Sequence, residues 1–218
     1  MNKEVTAVIP VRKGSQRVPK KNIKSFGDTN LLTLKISQLK RIKNLHKIIV
    51  NSDCEEMLAI ANQLGVHTQK RDDYYCSSFV NNSEYFEHIG QVTQAEHIMY
   101  APVTCPFVKD DTIEKCIDIY QDLEDFDSVM TAFDVKNHLW LDGKPINYEP
   151  KNAPNSQDLP EILAVHYGVS ILSKETMIKN RNAIGERPFF IKLGEEEAFD
   201  IDTELEFEFA EFLYKKNT

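Results

Sequence analysis

The stretch that decides the fold is Ala7–Asn22, with the sequence AVIPVRKGSQRVPKKN. It continues a short β-branched apolar run, Val5–Val11, which predicts a buried strand. A loop with one glycine follows, and its six cations precede the next acid: Arg12, Lys13, Arg17, Lys20, Lys21 and Lys24. Glycine lets backbone N–H groups turn toward an anion, and Arg and Lys supply charge-assisted donors. The loop is therefore a candidate polyphosphate cradle, with a solvated surface loop as the alternative.

The composition fits one domain that spans residues 1–218. The net charge of -8 argues against a general nucleic-acid binder, for which a basic domain is expected. No apolar run approaches the roughly 18 residues of a membrane span, so we expect no membrane partner. The four cysteines lack the spacing of a metal site, and we expect reduced thiols and a cytoplasmic protein. They are Cys54, Cys76, Cys105 and Cys116.

Short apolar runs alternate with helical stripes from Val5 to Ala132. This β-α-β rhythm predicts a mostly parallel sheet with right-handed crossovers and helices on both faces. In such α/β sheets, ligands lie outside the carboxyl ends of the strands. The basic loop and two further segments, 51–53 and 102–104, each follow a predicted strand. We therefore expect these three segments to face one crevice.

The rhythm changes at residues 137–162, which leave the main body as an arm. Asp142-Gly143 is typical of a two-residue hairpin turn, and the rest of the segment has no helical stripe. Arms of this length inside a small domain are usually functional. We expect it to pack against a second subunit in a homodimer; a lid or a plain loop is the alternative.

The basic loop matches neither the P-loop nor the dinucleotide-binding Gly-x-Gly-x-x-Gly motif. One glycine with a serine and spaced cations instead suits a triphosphate that must leave as pyrophosphate. Several positive groups are needed there, because negative charge builds up on the departing oxygens.

Two acids near the C-terminus are candidate metal ligands. Residues two apart in an extended segment point the same way, so Asp200 and Asp202 converge while Ile201 points to the core. Mg²⁺ favours a few carboxylates together with substrate phosphates and water, which suits this pair. The alternative is that the two acids only complement the positive end of the last helix, which Thr203 and Glu206 are predicted to cap.

Three other polar residues have two interpretations each. In one interpretation, Asp53 contacts a ribose or a metal-bound water. In the other, Asp53 and Glu56 cap the helix that follows. His166 and Tyr167 lie on a predicted strand and either touch an acceptor or form a half-buried structural pair. The residue types alone do not decide between these interpretations.

The basic loop resembles the N-terminal signature of acylneuraminate cytidylyltransferases, the CMP-sialic acid synthetase family. The residues in register with that signature are Arg12, Ser15, Pro19, Lys21 and Asn22. Three further stretches are similar to motifs of the family in order and spacing: Ile48–Asp53, Thr104–Phe107 and Phe199–Glu204. The resemblance implies a Rossmann-like nucleotidyltransferase fold, a single cytidylyltransferase domain over 1–218, and a β-hairpin dimerisation arm at 137–162.

The resemblance also implies a reaction, in which a sugar hydroxyl attacks the α-phosphate of CTP and Mg²⁺-pyrophosphate leaves. The implied nucleotide-binding residues are Arg12, Ser15, Arg17, Lys21, Asn22 and Asp53. The implied catalytic residues are Arg12, Lys21 and Asp202. The implied Mg²⁺ ligands are Asp200 and Asp202. The candidate acceptor contacts are Thr104, His166 and Tyr167. Transfer of this kind is mainly positioning and charge neutralisation, which leaves little for a dedicated base to do.

The acceptor half departs from the family pattern. Pro102 and Val103 stand where the family has Gln-Pro, and residues 164–168 lack the family's arginine. The resemblance implies an acidic sugar as the acceptor, either sialic acid or a related nonulosonic acid, and these departures open the choice to other acceptors. A small phosphonate or phosphate compound and a non-catalytic nucleotide-binding module are the alternatives. A CMP-Kdo-type synthetase is disfavoured, because Lys20-Lys21-Asn22 replaces its Pro-Gly-Lys-Pro.

Overall fold

The computed structural model describes residues 3–217; Met1, Asn2 and Thr218 of the predicted domain 1–218 lie outside the described residues. The first elements in chain order are β1 (Val5–Pro10), β2 (Ser25–Phe26), β3 (Thr29–Asn30), α1 (Leu31–Leu39), β4 (Lys47–Ser52), α2 (Glu55–Gln63), β5 (His67–Lys70), α3 (Asn82–Val92) and β6 (His97–Tyr100). The remaining ones are α4 (Asp110–Gln121), β7 (Ser128–Asp134), β8 (Trp140–Leu141), β9 (Lys144–Pro145), β10 (Leu163–Ser173), α5 (Lys174–Asn180), β11 (Pro188–Lys192) and α6 (Glu204–Asn217).

Seven of these strands form one sheet in the order β11-β7-β10-β6-β1-β4-β5. β1 runs parallel to β4 and β6, β4 runs parallel to β5, and β7 runs parallel to β11. β10 runs antiparallel to both of its neighbours, β6 and β7. The predicted mostly parallel sheet is confirmed. The rhythm of the sequence did not predict that β10 separates β6 from β7, because this pairing joins segments far apart in the chain.

Helices cover both faces of the sheet, as predicted. Ala7 and Ile9 of β1 belong to the larger core cluster, to which α1, α2, α4 and α6 contribute. Val8 points the other way and packs with Ile89 of α3 and Met177 of α5. Val8 and Ile9 are both fully buried, and burying such a side chain stabilises a fold by roughly 1.5–3 kcal/mol. Burial on both faces explains why β1 is a continuous apolar run.

The interpretation of Asp53 as a helix cap is wrong. α2 begins after Cys54, and no side chain of the described residues caps it; the Asp53 carboxylate instead accepts the backbone N–H of Lys13 at 3.0 Å.

The capping box of α6 is confirmed, because the backbone N–H of Thr203 donates to Glu206 at 2.7 Å and the N–H of Glu206 donates to Thr203 Oγ1 at 3.3 Å. Across residues 3–217, no helix combines the length and apolar character needed to cross a lipid bilayer.

The predicted hairpin is present as β8 and β9. Asp142 and Gly143 occupy its turn with φ angles of 49° and 75°, the left-handed region that a two-residue hairpin requires. After the hairpin the chain has two single 3₁₀ turns, Pro150–Asn152 and Ser156–Asp158, before β10 rejoins the sheet. Three large apolar side chains of the arm are exposed: Trp140, Leu141 and Ile146.

Candidate active site

A cleft of about 550 Å³ opens at the carboxyl end of β1. Its walls are the loop after β1, the loop between β5 and α3, the end of β6 and the segment before α6. The predicted ligand-binding residues that line it are Arg12, Ser15, Arg17, Lys21, Asn22, Thr104 and Asp202. The basic loop and Thr104 of segment 102–104 therefore meet in one crevice. Segment 51–53 stays behind it, where the Asp53 carboxylate fixes the backbone of the basic loop.

The basic loop is held in shape by contacts of its own residues. The buried Asn22 side chain donates to the Arg12 carbonyl at 3.0 Å and thereby closes the loop on itself. Lys20, with φ of 54°, makes the left-handed turn, and its carbonyl accepts the N–H of Ile23 at 2.9 Å. A Cβ at Gly14 would meet nothing within 4 Å. The turn thus depends on Lys20 and not, as the sequence had suggested, on the single glycine.

Three cations of the loop, Arg12, Arg17 and Lys21, are fixed by carbonyls and one carboxylate. Arg12 donates to the carbonyl of Cys76 at 2.8 Å, which ties the basic loop to the opposite wall. Arg17 pairs with Asp202 at 2.6 Å, and Lys21 Nζ donates to the Ile201 carbonyl at 2.6 Å. Burial lowers the pKa of Lys21, whereas the negative charges of Asp202 and Asp200 act to raise it. The loop therefore presents positive charge to the cleft in a fixed arrangement.

Arg71 is a cleft residue that sequence reasoning missed. Only 3% of it is exposed, and its guanidinium donates to the Val11 carbonyl at the end of β1. It lies 5.3 Å from the ring of Tyr85, within cation-π distance. Its position directly after β5 is the signal that was available, because the carboxyl ends of neighbouring parallel strands meet at one edge.

The wall opposite the basic loop is aromatic and polar. Tyr75, Tyr85 and Tyr100 line it, together with Val80 and Asn82. Burial raises the pKa of Tyr85 and raises that of Tyr100 still further, so both phenols keep their protons at neutral pH. These rings and hydroxyls offer stacking surface and hydrogen bonds to a flat polar ligand.

The two candidate metal ligands flank a core residue. Ile201 is fully buried, and its N–H donates to the Thr104 carbonyl at 2.9 Å. Asp202 lines the cleft, whereas Asp200 is exposed outside the lining and accepts a weak hydrogen bond from the Cys105 thiol at 3.7 Å. In the described chain, no three His, Cys, Asp or Glu side chains cluster as a complete metal site. Two carboxylates fit Mg²⁺ only when phosphate oxygens and water complete the set, which is the usual Mg²⁺ arrangement.

The predicted acceptor residues His166 and Tyr167 do not line the cleft. They alternate along β10, so their side chains point to opposite faces of the sheet. The buried His166 ring accepts the Gly168 N–H at 3.2 Å, and its second ring nitrogen has no hydrogen-bond partner among residues 3–217. Tyr167 stacks on Phe86 at 5.9 Å, in the core beneath α3. Of the three predicted acceptor contacts, only Thr104 lies at the cleft.

A basic cleft at the carboxyl edge of a mostly parallel sheet, with a carboxylate at its rim, defines the class of nucleotidyltransferases. Within that class, the model of the family described as "Cytidylyltransferase" matches residues 6–216. The chain belongs to this family and is a CTP-dependent nucleotidyltransferase that transfers CMP. The resemblance of the basic loop to cytidylyltransferases is thereby confirmed.

Two relatives and one solved structure show how far the likeness extends. The chain is 24% identical to the "Post-translational flagellin modification protein B" of Campylobacter coli, over 98% of this chain and 96% of that protein. It is also 24% identical to the "Pseudaminic acid cytidylyltransferase" of Campylobacter jejuni subsp. jejuni serotype O:2, over 96% of each. A CMP:2-keto-3-deoxy-manno-octonic acid synthetase complexed with CTP matches with a TM-score of 0.73 at 13% identity, over 99% of this chain and 100% of that one. This last likeness concerns the fold alone, and it confirms the predicted Rossmann-like nucleotidyltransferase architecture.

Proposed function

We propose that this enzyme transfers CMP from CTP to an acidic sugar of the nonulosonic acid class and releases pyrophosphate. The observation that carries the proposal is the composition of the cleft. Four cations, Arg12, Arg17, Lys21 and Arg71, face it, and Asp202 is the acid among its described lining residues. Such a charge distribution suits a triphosphate. The choice of acceptor is supported by the names of relatives, one of which is a pseudaminic acid cytidylyltransferase.

In this proposal the two walls of the cleft divide the nucleotide between them. Arg12, Ser15, Arg17 and Lys21 bind the phosphates, because they form the basic wall. The aromatic and polar wall opposite receives the nucleoside, with Asn22 between the two. Asp53 contributes indirectly, by holding the N–H of Lys13 and with it the course of the loop.

Mg²⁺ fits the carboxylate end of the cleft. Asp202, with Asp200, would hold the ion, which when bound neutralises phosphate charge and orients the triphosphate. Asp202 pairs with Arg17, so both groups lie beside the basic wall. The pairing also keeps the carboxylate from facing the cleft as an uncompensated charge.

The chemistry that follows is an in-line displacement at phosphorus. A hydroxyl oxygen of the acceptor forms a bond to the α-phosphorus, and the bond from that phosphorus to the pyrophosphate oxygen breaks. Arg12 and Lys21 stabilise the charge that develops on the departing pyrophosphate. The proton of the hydroxyl passes to solvent, since transfer of this kind depends on positioning more than on a general base.

The acceptor is the open half of the proposal. Thr104 lies at the cleft and is the residue best placed to touch it. The absence of an arginine at residues 164–168 leaves room for an acceptor other than sialic acid itself. A small phosphonate or phosphate acceptor is therefore the second arm of the test.

The assembly and the compartment complete the proposal. The exposed Trp140, Leu141 and Ile146 support the arm at 137–162 as a dimer contact of a single domain over 1–218. The four cysteines are free thiols, all buried, which suits the reducing cytoplasm.

The test is a pyrophosphate-release screen with CTP, UTP and ATP against pseudaminic acid, sialic acid, other acidic sugars and small phosphonates. We expect release only with CTP, Mg²⁺ and a nonulosonic acid. An Asp202→Ala variant should lose about a hundredfold or more of this activity, as when one preorganised charge-stabilising group is removed. Turnover with phosphonates alone would overturn the acceptor class, and CTP binding without turnover on any acceptor would favour a non-catalytic module.

A further inference from the structure

One face of α1 carries polar side chains that point into the protein. Lys35 and Gln38 are three positions apart and therefore neighbours on the helix surface, and Arg41 continues the line just past the helix end. They bind one continuous segment, the connection from β6 to α4 together with the first residue of α4. Lys35 donates to the Cys105 carbonyl at 3.1 Å, Gln38 donates to the Val108 carbonyl at 2.5 Å, and Arg41 pairs with Asp110 at 2.8 Å.

Lys35 is the unusual member of this line. It is 2% exposed, and its ammonium donates only to neutral oxygens, those of Gln38 at 2.9 Å and of the Cys105 carbonyl. No carboxylate of the described chain lies within ion-pair distance of it, and burial lowers its pKa to about 8. Asp110 is the acid that favours its charged form, and it is linked to Lys35 through Gln38, whose amide donates to Asp110 at 3.1 Å. A buried ammonium without a direct ion pair still destabilises a fold, which points to a role beyond packing.

Lys35 holds the carbonyl of the Cys105–Pro106 peptide, and the adjoining Thr104–Cys105 peptide is the one that places the carboxylate pair. The carbonyl of Thr104, one residue before Cys105, accepts the N–H of Ile201 at 2.9 Å. The Cys105 thiol lies 3.7 Å from Asp200 Oδ1. Ile201 is fully buried between the two acids, so the position of its backbone sets where both carboxylates point. Two hydrogen bonds, from Lys35 to the Cys105 carbonyl and from the Ile201 N–H to the Thr104 carbonyl, thus connect the Lys35 ammonium to the backbone between the candidate metal ligands.

A second tie runs from the same connection to the same carboxyl-terminal segment. The backbone N–H of Lys109 donates to Glu197 at 3.0 Å, and the Thr112 hydroxyl donates to the same carboxylate at 2.6 Å. Residues 104–112 are therefore a bridge between α1 on one side and residues 197–201 on the other. Lys35 is the buried cation of α1 that binds this bridge.

We propose that Lys35 is a positioning residue, which holds the Cys105 carbonyl, and through it the adjoining Thr104–Cys105 peptide, so that Asp200 and Asp202 are presented together to a divalent cation and the triphosphate. The proposal rests on the proposed role of the acidic pair. It assigns no contact between Lys35 and the substrates. Loss of the ammonium frees the Cys105 carbonyl, and the bond from Thr104 to Ile201 then no longer fixes the pair.

The test measures metal binding directly. Mn²⁺ is titrated into the full chain with CTP at a concentration equal to that of the protein and no acceptor. Free Mn²⁺ is followed by electron paramagnetic resonance, and the Mn²⁺ bound by the same CTP without protein is subtracted. In Lys35→Met, which keeps the length but removes the donor and the charge, we expect Mn²⁺ affinity to fall about tenfold, as when an outer-shell partner of a metal ligand is removed. Affinity for CTP without divalent cation, measured by calorimetry, should change less than about twofold, because the basic loop is untouched.

Two controls make the outcome decisive. Lys43→Met removes an exposed lysine just beyond α1 and should bind Mn²⁺ and CTP as the wild type does. Lys35→Gln keeps a donor for the Cys105 carbonyl without the charge, so it should restore part of the Mn²⁺ affinity; it also serves if Lys35→Met does not fold. Wild-type Mn²⁺ affinity in a folded Lys35→Met or Lys35→Gln, or an equal loss of metal-free CTP binding, overturns the proposal.

Asp202→Ala separates this inference from the proposed function. If that variant loses Mn²⁺ binding while Lys35→Met retains it, the metal site stands and the positioning role of Lys35 is wrong. If Asp202→Ala itself binds Mn²⁺ like the wild type, the acidic pair is not the metal site, and both the metal assignment and the role of Lys35 fail together.

Discussion

At the scale of single residues, Arg71 links two strands that end at the cleft, β1 and β4. Its guanidinium holds the carbonyl at the end of β1, and its backbone N–H donates to Ser52 of β4 at 2.8 Å. The same group lines the cleft beside Tyr85. A buried arginine that performs both roles cannot be replaced by lysine without loss, because lysine lacks the planar fork of donors.

We therefore expect Arg71→Lys to raise the KM for CTP by about tenfold, the effect of losing roughly one charged hydrogen bond. Initial rates of pyrophosphate release at varied CTP measure it. Arg187→Lys changes an exposed arginine in the same way and should leave the KM unaltered. An unchanged KM in Arg71→Lys would mean that Arg71 serves the fold and does not contact the nucleotide.

Lys35 makes stability depend on pH. Its pKa is about 8 in the folded chain against an ordinary value of 10.5, so between these pH values the unfolded chain binds more protons. The free energy of unfolding therefore rises as the pH rises from 8 to 10.5, because the buried Lys35 loses its charge over this range. The full effect corresponds to about 3 kcal/mol, at roughly 1.4 kcal/mol for each pH unit.

The measurement is the free energy of unfolding in urea from pH 7 to pH 10, for the wild type and for Lys35→Met. We expect the wild type to gain stability relative to the variant as the pH increases. Thiols and phenols that titrate in the same range are present in both proteins and cancel in the difference. A difference that stays constant with pH would show that Lys35 does not titrate in this window.

At the scale of elements, the start of α6 is joined to the acidic pair. Glu206 accepts the N–H groups of both Asp202 and Thr203, at 2.8 and 2.7 Å. The helix cap and the last carboxylate of the candidate metal site are thus parts of one turn. Weakening the cap should disturb the site as well as the helix.

Thr203→Ala should lower the free energy of unfolding by about 1 kcal/mol, the usual effect of removing a side-chain cap. It should also reduce pyrophosphate release, because Asp202 precedes the cap directly. Ser173→Ala removes the cap of α5, where Ser173 accepts the Thr176 N–H at 3.0 Å. We expect the same loss of stability there with normal turnover; equal turnover in both variants would contradict the link to the site.

Much of this arrangement could be predicted at the element level. The alternation of apolar runs predicted the parallel strands, and their carboxyl ends predicted where Arg12 and Thr104 meet. Local rules failed where a tertiary contact was stronger: Asp53 binds the N–H of Lys13 instead of capping α2. Lys35 gave no signal, since a lysine on a helix is normally solvated, and only the packing of α1 shows that it is buried.

At the scale of the whole molecule, the arm is one of the features of the described chain that expose large apolar side chains. Trp140 and Leu141 are 56% and 62% exposed on the hairpin. We expect a homodimer, and we expect Trp140→Ser/Leu141→Ser to shift it toward monomer. Sedimentation velocity at several protein concentrations measures the shift.

The control is Phe79→Ser, which removes an apolar side chain outside the arm that is 91% exposed and should leave the dimer intact. A monomeric wild type would contradict the assignment of the arm.

The place of β10 has a consequence for the order in which the chain folds. β10 pairs with β6 on one side and β7 on the other, so β11 and β7 join the rest of the sheet only through it. During synthesis, both β6 and β7 emerge long before their common neighbour does, and closing so long a loop is slow. Until residues 163–173 arrive, two strand edges stay open to other chains. We expect fragments that stop before β10 to aggregate, and we expect the pairing of β10 to limit the rate at which the full chain refolds.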